Sequence, residues 1–394
     1  MPLSNEDSLR LNVLLAQNVR AIRIDEGKMI IYALTDKGEA KIKLNPNQRN
    51  DRYVTEVKDI LSTKALGAPG GFPLYLSRWN RMGDVRSTNL DKLLLLGEPE
   101  AVTAVVNGKE LTSEIAASAW WAVQSPENAR SMLSNPDVVK GDIGKELAQF
   151  LIEFLPFEED PLSMLISTRL VLQGDLISED EKLKLWKKAK SKNTLYVGFM
   201  DILPDDLPEV VAENSRYQEV KDVLSNQLEG NNPYAVSLCK LLGASGQRFL
   251  QTAEAAIKRP PNYDVAGALI ESIRRYIFVK HPENGQSFSQ YSLGLKLNGE
   301  VETSMDNIIR LARDTYNAEN DMTPSKELLE IKALLPEYAA HIQAILILSR
   351  TSQTVLSPYI AKSTAVGTLM RKKLKPVFDP LLAQLRVLQN FSMA

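Results

Sequence analysis

The stretch Val19–Leu44, VRAIRIDEGKMIIYALTDKGEAKIKL, carries the change of period on which the fold turns. Val19–Ile24, Lys28–Leu34 and Glu39–Leu44 read as three strands, separated by Asp25-Glu26-Gly27 and Thr35-Asp36-Lys37-Gly38. The third segment puts Ala40, Ile42 and Leu44 on one face and Glu39, Lys41 and Lys43 on the other. One buried and one wet side is the mark of a small antiparallel meander. Before it, the apolar run Leu9 to Leu15 predicts a helix. After it, Asn50 or Asp51 is placed to cap a helix carrying Tyr53, Val57, Ile60 and Leu61 on one stripe. Residues 1–66 therefore predict a small α/β cap, a meander plus helix.

Beyond residue 66 the pattern turns helical and stays so. Glu98-Pro99-Glu100, Ser125-Pro126-Glu127, Asn135-Pro136-Asp137 and Asp160-Pro161-Leu162 share one grammar of helix starts. In the last three a capping side chain precedes a proline at the first helical position, where the missing N–H costs nothing. PEAVTAVV, PENARSML and PLSMLIST look like variants of one start, which suggests an irregular HEAT-like array of helix pairs over 67–230. A non-repetitive helical bundle is the alternative. Residues 231–394 continue helical, with SQYSLGLKLNGEVET as an extended or exposed segment and a last helix expected to begin at Asp379-Pro380. The fold class expected is mainly α with an N-terminal α/β cap.

Composition excludes more than it identifies. The 394 residues are 44% hydrophobic and 24% charged, with a formal net charge of −2, as in an ordinary globular protein. Any nucleic acid or anionic membrane contact would need a local basic patch. The single cysteine, Cys239, precludes an internal disulfide, and Met1–Arg10 is acidic and polar where a secretory leader needs a basic start and an apolar core. These features lead to the expectation of a cytoplasmic protein without membrane insertion. The two histidines, His281 and His341, form no HExxH or Cys/His cluster, so no cofactor or transition metal is expected. Acidic residues are numerous enough for a carboxylate magnesium site.

Several segments carry chemistry worth locating. LGAPGGFPLYLSRWNRMG, Leu66–Gly83, lacks both the P-loop and the Rossmann spacing, so its glycines and prolines read as a stiff elbow between cap and helices. Tyr75, Arg78, Trp79 and Arg81 within it offer aromatic faces beside guanidinium groups, a pattern that binds bases or anions or else packs into a core. A second basic surface is EKLKLWKKAKSKN, where Lys184, Lys187, Lys188 and Lys190 accompany Trp186. Leu183, Leu185 and Trp186 are expected inward and the lysines outward. Arg371-Lys372-Lys373-Leu374-Lys375 is a shorter run of the same kind. Gly243-Ala-Ser-Gly246 reads as a helix–helix turn, and the acidic clusters Glu158-Glu159-Asp160 and Asp205-Asp206 read as helix starts. Cys239, among apolar helix residues, reads as core, with a reactive persulfide or redox thiol as its functional alternative.

LGAPGGFPLYLSRWNRMG, LLLLGEPEAVTAVV, WWAVQSPENARSML, FLIEFLPFEED and LISTRLVLQGDLISEDEKLKLWKKAKSKNTLYVGF together resemble the DsrS family. These proteins are encoded with the dissimilatory sulfite reductase machinery of sulfur-oxidising bacteria. The resemblance runs from about Leu9 through Phe199 and identifies a lineage rather than a reaction, so no catalytic residue is carried over. It implies a cytoplasmic accessory or regulatory component of sulfur oxidation. The expected function is non-enzymatic, through binding of protein components of that system or of RNA. The alternative is a sulfur-carrier or redox role for Cys239.

Overall fold

The computed structural model describes residues 3–67, 69–73, 90–277, 296–297, 300–301, 304–320, 324–360 and 365–389. The chain is mainly α-helical, with a three-stranded antiparallel sheet near its N-terminus. It divides into two compact units, Met1–Phe157 and Glu158–Ala394.

The first unit begins with α1 (Asn5–Leu15), followed by β1 (Val19–Asp25), β2 (Ile30–Thr35), β3 (Gly38–Lys43) and α2 (Asn50–Leu66). Strand order is β1-β2-β3, with Ile24, Ile31 and Ile42 in cross-strand register and Arg23, Tyr32 and Lys41 in the next. The isoleucine face joins Leu11, Leu14, Tyr53, Val57 and Leu61 in one core beneath α1 and α2. Within it the wholly buried Asp7 accepts hydrogen bonds from the Asn45 N–H at 2.7 Å and the Tyr53 hydroxyl at 2.5 Å. Arg49, not Asn50 or Asp51, occupies the N-cap of α2, and it makes no side-chain cap bond.

The second face of the sheet explains why this unit extends past residue 66. The α-helices described after α2 in this unit are α3 (Pro99–Val106), α4 (Ser113–Ala122), α5 (Pro126–Leu133), α6 (Pro136–Lys140) and α7 (Asp142–Phe154). The Arg23 guanidinium lies 4.7 Å from the centre of the Tyr32 ring and 4.8 Å from that of Trp121 on α4. Glu39 accepts from both Arg23 and Trp121. The sheet is therefore clamped to a helix some eighty residues later. The proline grammar holds: Ser125 and Asn135 accept N–H bonds from Asn128 and Asp137 at the heads of α5 and α6.

The second unit contains α8 (Pro161–Leu172), α9 (Glu179–Ala189), α10 (Thr194–Ile202), α11 (Tyr217–Val223), α12 (Ser225–Glu229), α13 (Pro233–Leu242), α14 (Ala244–Ile257) and α15 (Tyr263–Ile277). A short antiparallel pair follows, β4 (Lys296–Leu297) and β5 (Glu300–Val301). It falls inside the segment read as extended. Then come α16 (Met305–Asn317), α17 (Lys326–Leu334), α18 (Ala339–Arg350), α19 (Ser357–Ile360), α20 (Gly367–Lys373) and α21 (Lys375–Gln389).

Packing in this unit is that of a bundle. In an array each repeat meets only its neighbours, yet α21 packs against α14 and α18. Gln389 donates to the Leu250 carbonyl, and Arg386 pairs with Glu254 at 3.0 Å. At the end of α10 the buried Asp201 accepts from Arg169 on α8 and from Ser272 and Arg275 on α15, tying three helices through one carboxylate. The turn at Gly243 joins α13 to α14 as read. There Gly246 lies so close to α13 that a Cβ would stand 2.1 Å from the Lys240 carbonyl oxygen.

Two local readings are corrected. The last helix begins at Lys375, not Asp379, and Pro380 lies inside it. Because Pro380 falls in the second turn, it removes a single helical hydrogen bond near the start. Asp205-Asp206 begins no helix. Asp205 instead accepts the Tyr276 hydroxyl at 2.7 Å and pairs with Lys240 at 3.3 Å. Asp160 does cap α8, accepting the Ser163 N–H at 2.8 Å. Among the described residues no single helix is long and apolar enough to cross a membrane.

Candidate interaction surface

Helix α9 is built to be held on one side and presented on the other. Ser178 and Glu181 form a capping box, with each side chain bonded to the other's backbone N–H. Those bonds from the Ser178 backbone and hydroxyl, with Lys184 adding its charge, hold the Glu181 carboxyl below its ordinary range. Leu185, Trp186 and Ala189 are buried. The Trp186 ring meets Tyr196 and Phe199 of α10 edge-on, at centroid distances of 4.9 and 5.1 Å.

The opposite side is basic. Lys184, Lys187, Lys188 and Lys190 are all exposed, and among the described residues no ion pair involves any of the four. Lys182 behaves differently, covering the buried side and pairing with Glu179 at 2.6 Å. Helical phase explains this, because Lys182 is one turn before Leu185 and Trp186 and shares their face. The same phase turns Leu183 outward, 43% exposed, contrary to its expected place in the core.

Tyr75, Arg78, Trp79 and Arg81 lie outside the described residues, as does His281. The described part of the preceding turn uses its N–H groups internally. Gly70 donates to Asp59, Gly71 to Ser62 and Phe72 to Glu98. Gly71 has φ +59°, and a Cβ there would meet the Glu98 carboxylate at 2.6 Å, so glycine is needed for this close approach.

Cys239 is a buried free thiol on α13, and burial pushes it up to about 11. At neutral pH roughly one molecule in ten thousand would carry the thiolate that nucleophilic or persulfide chemistry requires. His341 is buried on α18 beside Tyr338, and desolvation lowers its pKa. Among the described residues no group of three or more His, Cys, Asp or Glu side chains is placed to hold a metal ion.

A cleft of about 520 Å³ in the first unit is lined by Arg23, Asp25, Glu26, Lys28, Tyr32 and Lys58. Its cations are already paired, Arg23 with Glu39, Lys28 with Asp25 and Lys58 with Glu26. The α9 lysines are thus a sequence-read group that the structure gathers on one helix face and leaves exposed. No family model, curated protein or solved structure matches the chain.

Proposed function

We propose that this protein acts by binding, as an accessory or regulatory component of dissimilatory sulfur oxidation in the cytoplasm, and that α9 presents its contact surface to an acidic protein of that system. The observation that carries this reading is the row Lys184, Lys187, Lys188 and Lys190, exposed and without ion pairs among the described residues, on a helix anchored by Trp186. Four cations within seven residues make a local positive field that the overall net charge of −2 conceals. The resemblance to the DsrS family supplies the biological setting, and the acidic partner follows from electrostatic complementarity.

The test is affinity capture from cells grown on sulfide or thiosulfate, with wild-type protein and a Lys187→Glu, Lys188→Glu variant as paired baits. A partner held by the wild type, released by added salt and lost from the variant is the expected result. A partner set that is identical for both baits would refute the assignment to α9. Capture of RNA instead of protein, with the salt dependence that phosphate contacts impose, would overturn the choice of partner while keeping the surface.

A further inference from the structure

We propose that α20 and the turn it packs against form a peripheral docking surface for an anionic lipid bilayer. This goes beyond the α9 reading and does not depend on it. Helix α20 turns Met370 inward, and Leu374, which ends it, is fully buried. The outer stripe, at spacings of three, carries Val366, Leu369 and Lys372. Val366 is 67% exposed and Leu369 57%. Lys372 and Lys375 are exposed as well, and no ion pair among the described residues involves either.

A second segment, more than a hundred residues earlier, adds to this charge. Helix α20 is fastened to the turn after α14, where the Gly367 N–H donates to the Pro261 carbonyl at 3.0 Å and the Arg371 guanidinium to the Pro260 carbonyl at 3.4 Å. Arg259, exposed and immediately before Pro260, is thereby brought to the same end of the unit. Of the acids on these elements, Glu254 is held by Lys258 and Arg386, and Asp379 lies one turn beyond Lys375 on α21.

Single exposed aliphatic side chains are ordinary. Two of them on one stripe, flanked by cations from two chain segments, match what an interfacial element needs. The aliphatic tips enter the acyl boundary and the cations meet the headgroups. Nucleic acid fits less well, since single strands are held by aromatic stacking and this stripe carries no aromatic ring.

The experiment is co-sedimentation of the full chain with vesicles of phosphatidylcholine alone or mixed with phosphatidylglycerol. Binding is expected to the mixed vesicles only, weakening as salt is added. Lys372→Glu, Lys375→Glu should lower the partition coefficient at least roughly 25-fold, about fivefold for each charge removed. Val366→Ser, Leu369→Ser should lower it at unchanged charge. All four positions are on the surface, so circular dichroism should show these variants folded. No sedimentation with mixed vesicles at low salt would overturn the proposal, as would binding indifferent to the lysine variant. Retention of labelled RNA, lost in that variant and without vesicle binding, would replace lipid by nucleic acid. Lys187→Glu, Lys188→Glu should bind vesicles normally; its failure to do so would move the lipid contact to α9 and refute the assignment to α20.

Discussion

Trp186→Ala separates the anchoring side of α9 from its presenting side. The indole is 4% exposed and has two edge-to-face contacts, with Tyr196 and Phe199. A buried tryptophan removes on the order of 200 Å² from water, worth about 5 kcal/mol at ~25 cal/mol per Å². The alanine left behind recovers part of that area, while the cavity and the two lost ring contacts add to the cost. The expected destabilisation is therefore about 3–5 kcal/mol. Urea unfolding followed by far-ultraviolet circular dichroism measures it without relying on the fluorophore being removed. Lys187→Glu, Lys188→Glu on the same helix should shift the same transition by less than about 0.5 kcal/mol. A Trp186→Ala loss below about 1 kcal/mol, with an unchanged denaturant slope, would refute the claim that this ring holds α9 in place.

Tyr53→Phe should cost about 1.5–3 kcal/mol in urea unfolding, because the buried Asp7 carboxyl loses its hydroxyl donor and keeps the Asn45 N–H. Gly246→Ala should destabilise by about 1–3 kcal/mol or more, since the new methyl would meet backbone at 2.1 Å. Gly27→Ala, where a Cβ would stand 3.6 Å from the Asp25 carboxylate, is the control. Cys239 should label slowly in folded protein at pH 7, faster as pH approaches about 11, and at once in denaturant. Because burial raises this thiol from 9.0, its contribution to stability is complete below pH 9 and is lost as pH rises through about 11. Equal labelling of folded and unfolded protein at pH 7 would contradict the burial.

The local features were legible because their causes are local. Alternation in Glu39–Leu44 announced a strand with one wet face, and the structure places that strand at Gly38–Lys43. Ser125, Asn135 and Asp160 before proline announced three helix starts, each now seen accepting the expected N–H bond. What the sequence hid depends on contacts between distant residues. Arg23 and Trp121 meet across nearly a hundred positions, so the sheet could not be seen to share a unit with α4. Arg259 is brought to the α20 surface by the bonds that Gly367 and Arg371 make to the Pro261 and Pro260 carbonyls. Leu183 was misplaced for a smaller reason. Three apolar residues in four positions fit a core stripe, but at 100° per residue Leu183 falls outside the arc shared by Leu185, Trp186 and Ala189.

The lysine face of α9 also bears on what kind of explanation it requires. Lys184–Lys187 and Lys187–Lys190 are three apart and Lys184–Lys188 four apart, so these cations repel one another across one surface. Each such like-charge pair costs a helix about 0.2–0.5 kcal/mol. The core contacts of α9 come from Leu185, Trp186 and Ala189, and the capping box is complete without the lysines. The lysine face contributes nothing to the core, and that suits the contact surface proposed above. Replacing Lys187 and Lys188 by glutamate should therefore leave stability unchanged or slightly raised while binding falls. A loss of stability larger than the loss of binding would mean that the lysines hold the helix, and the interaction reading of α9 would fail with it.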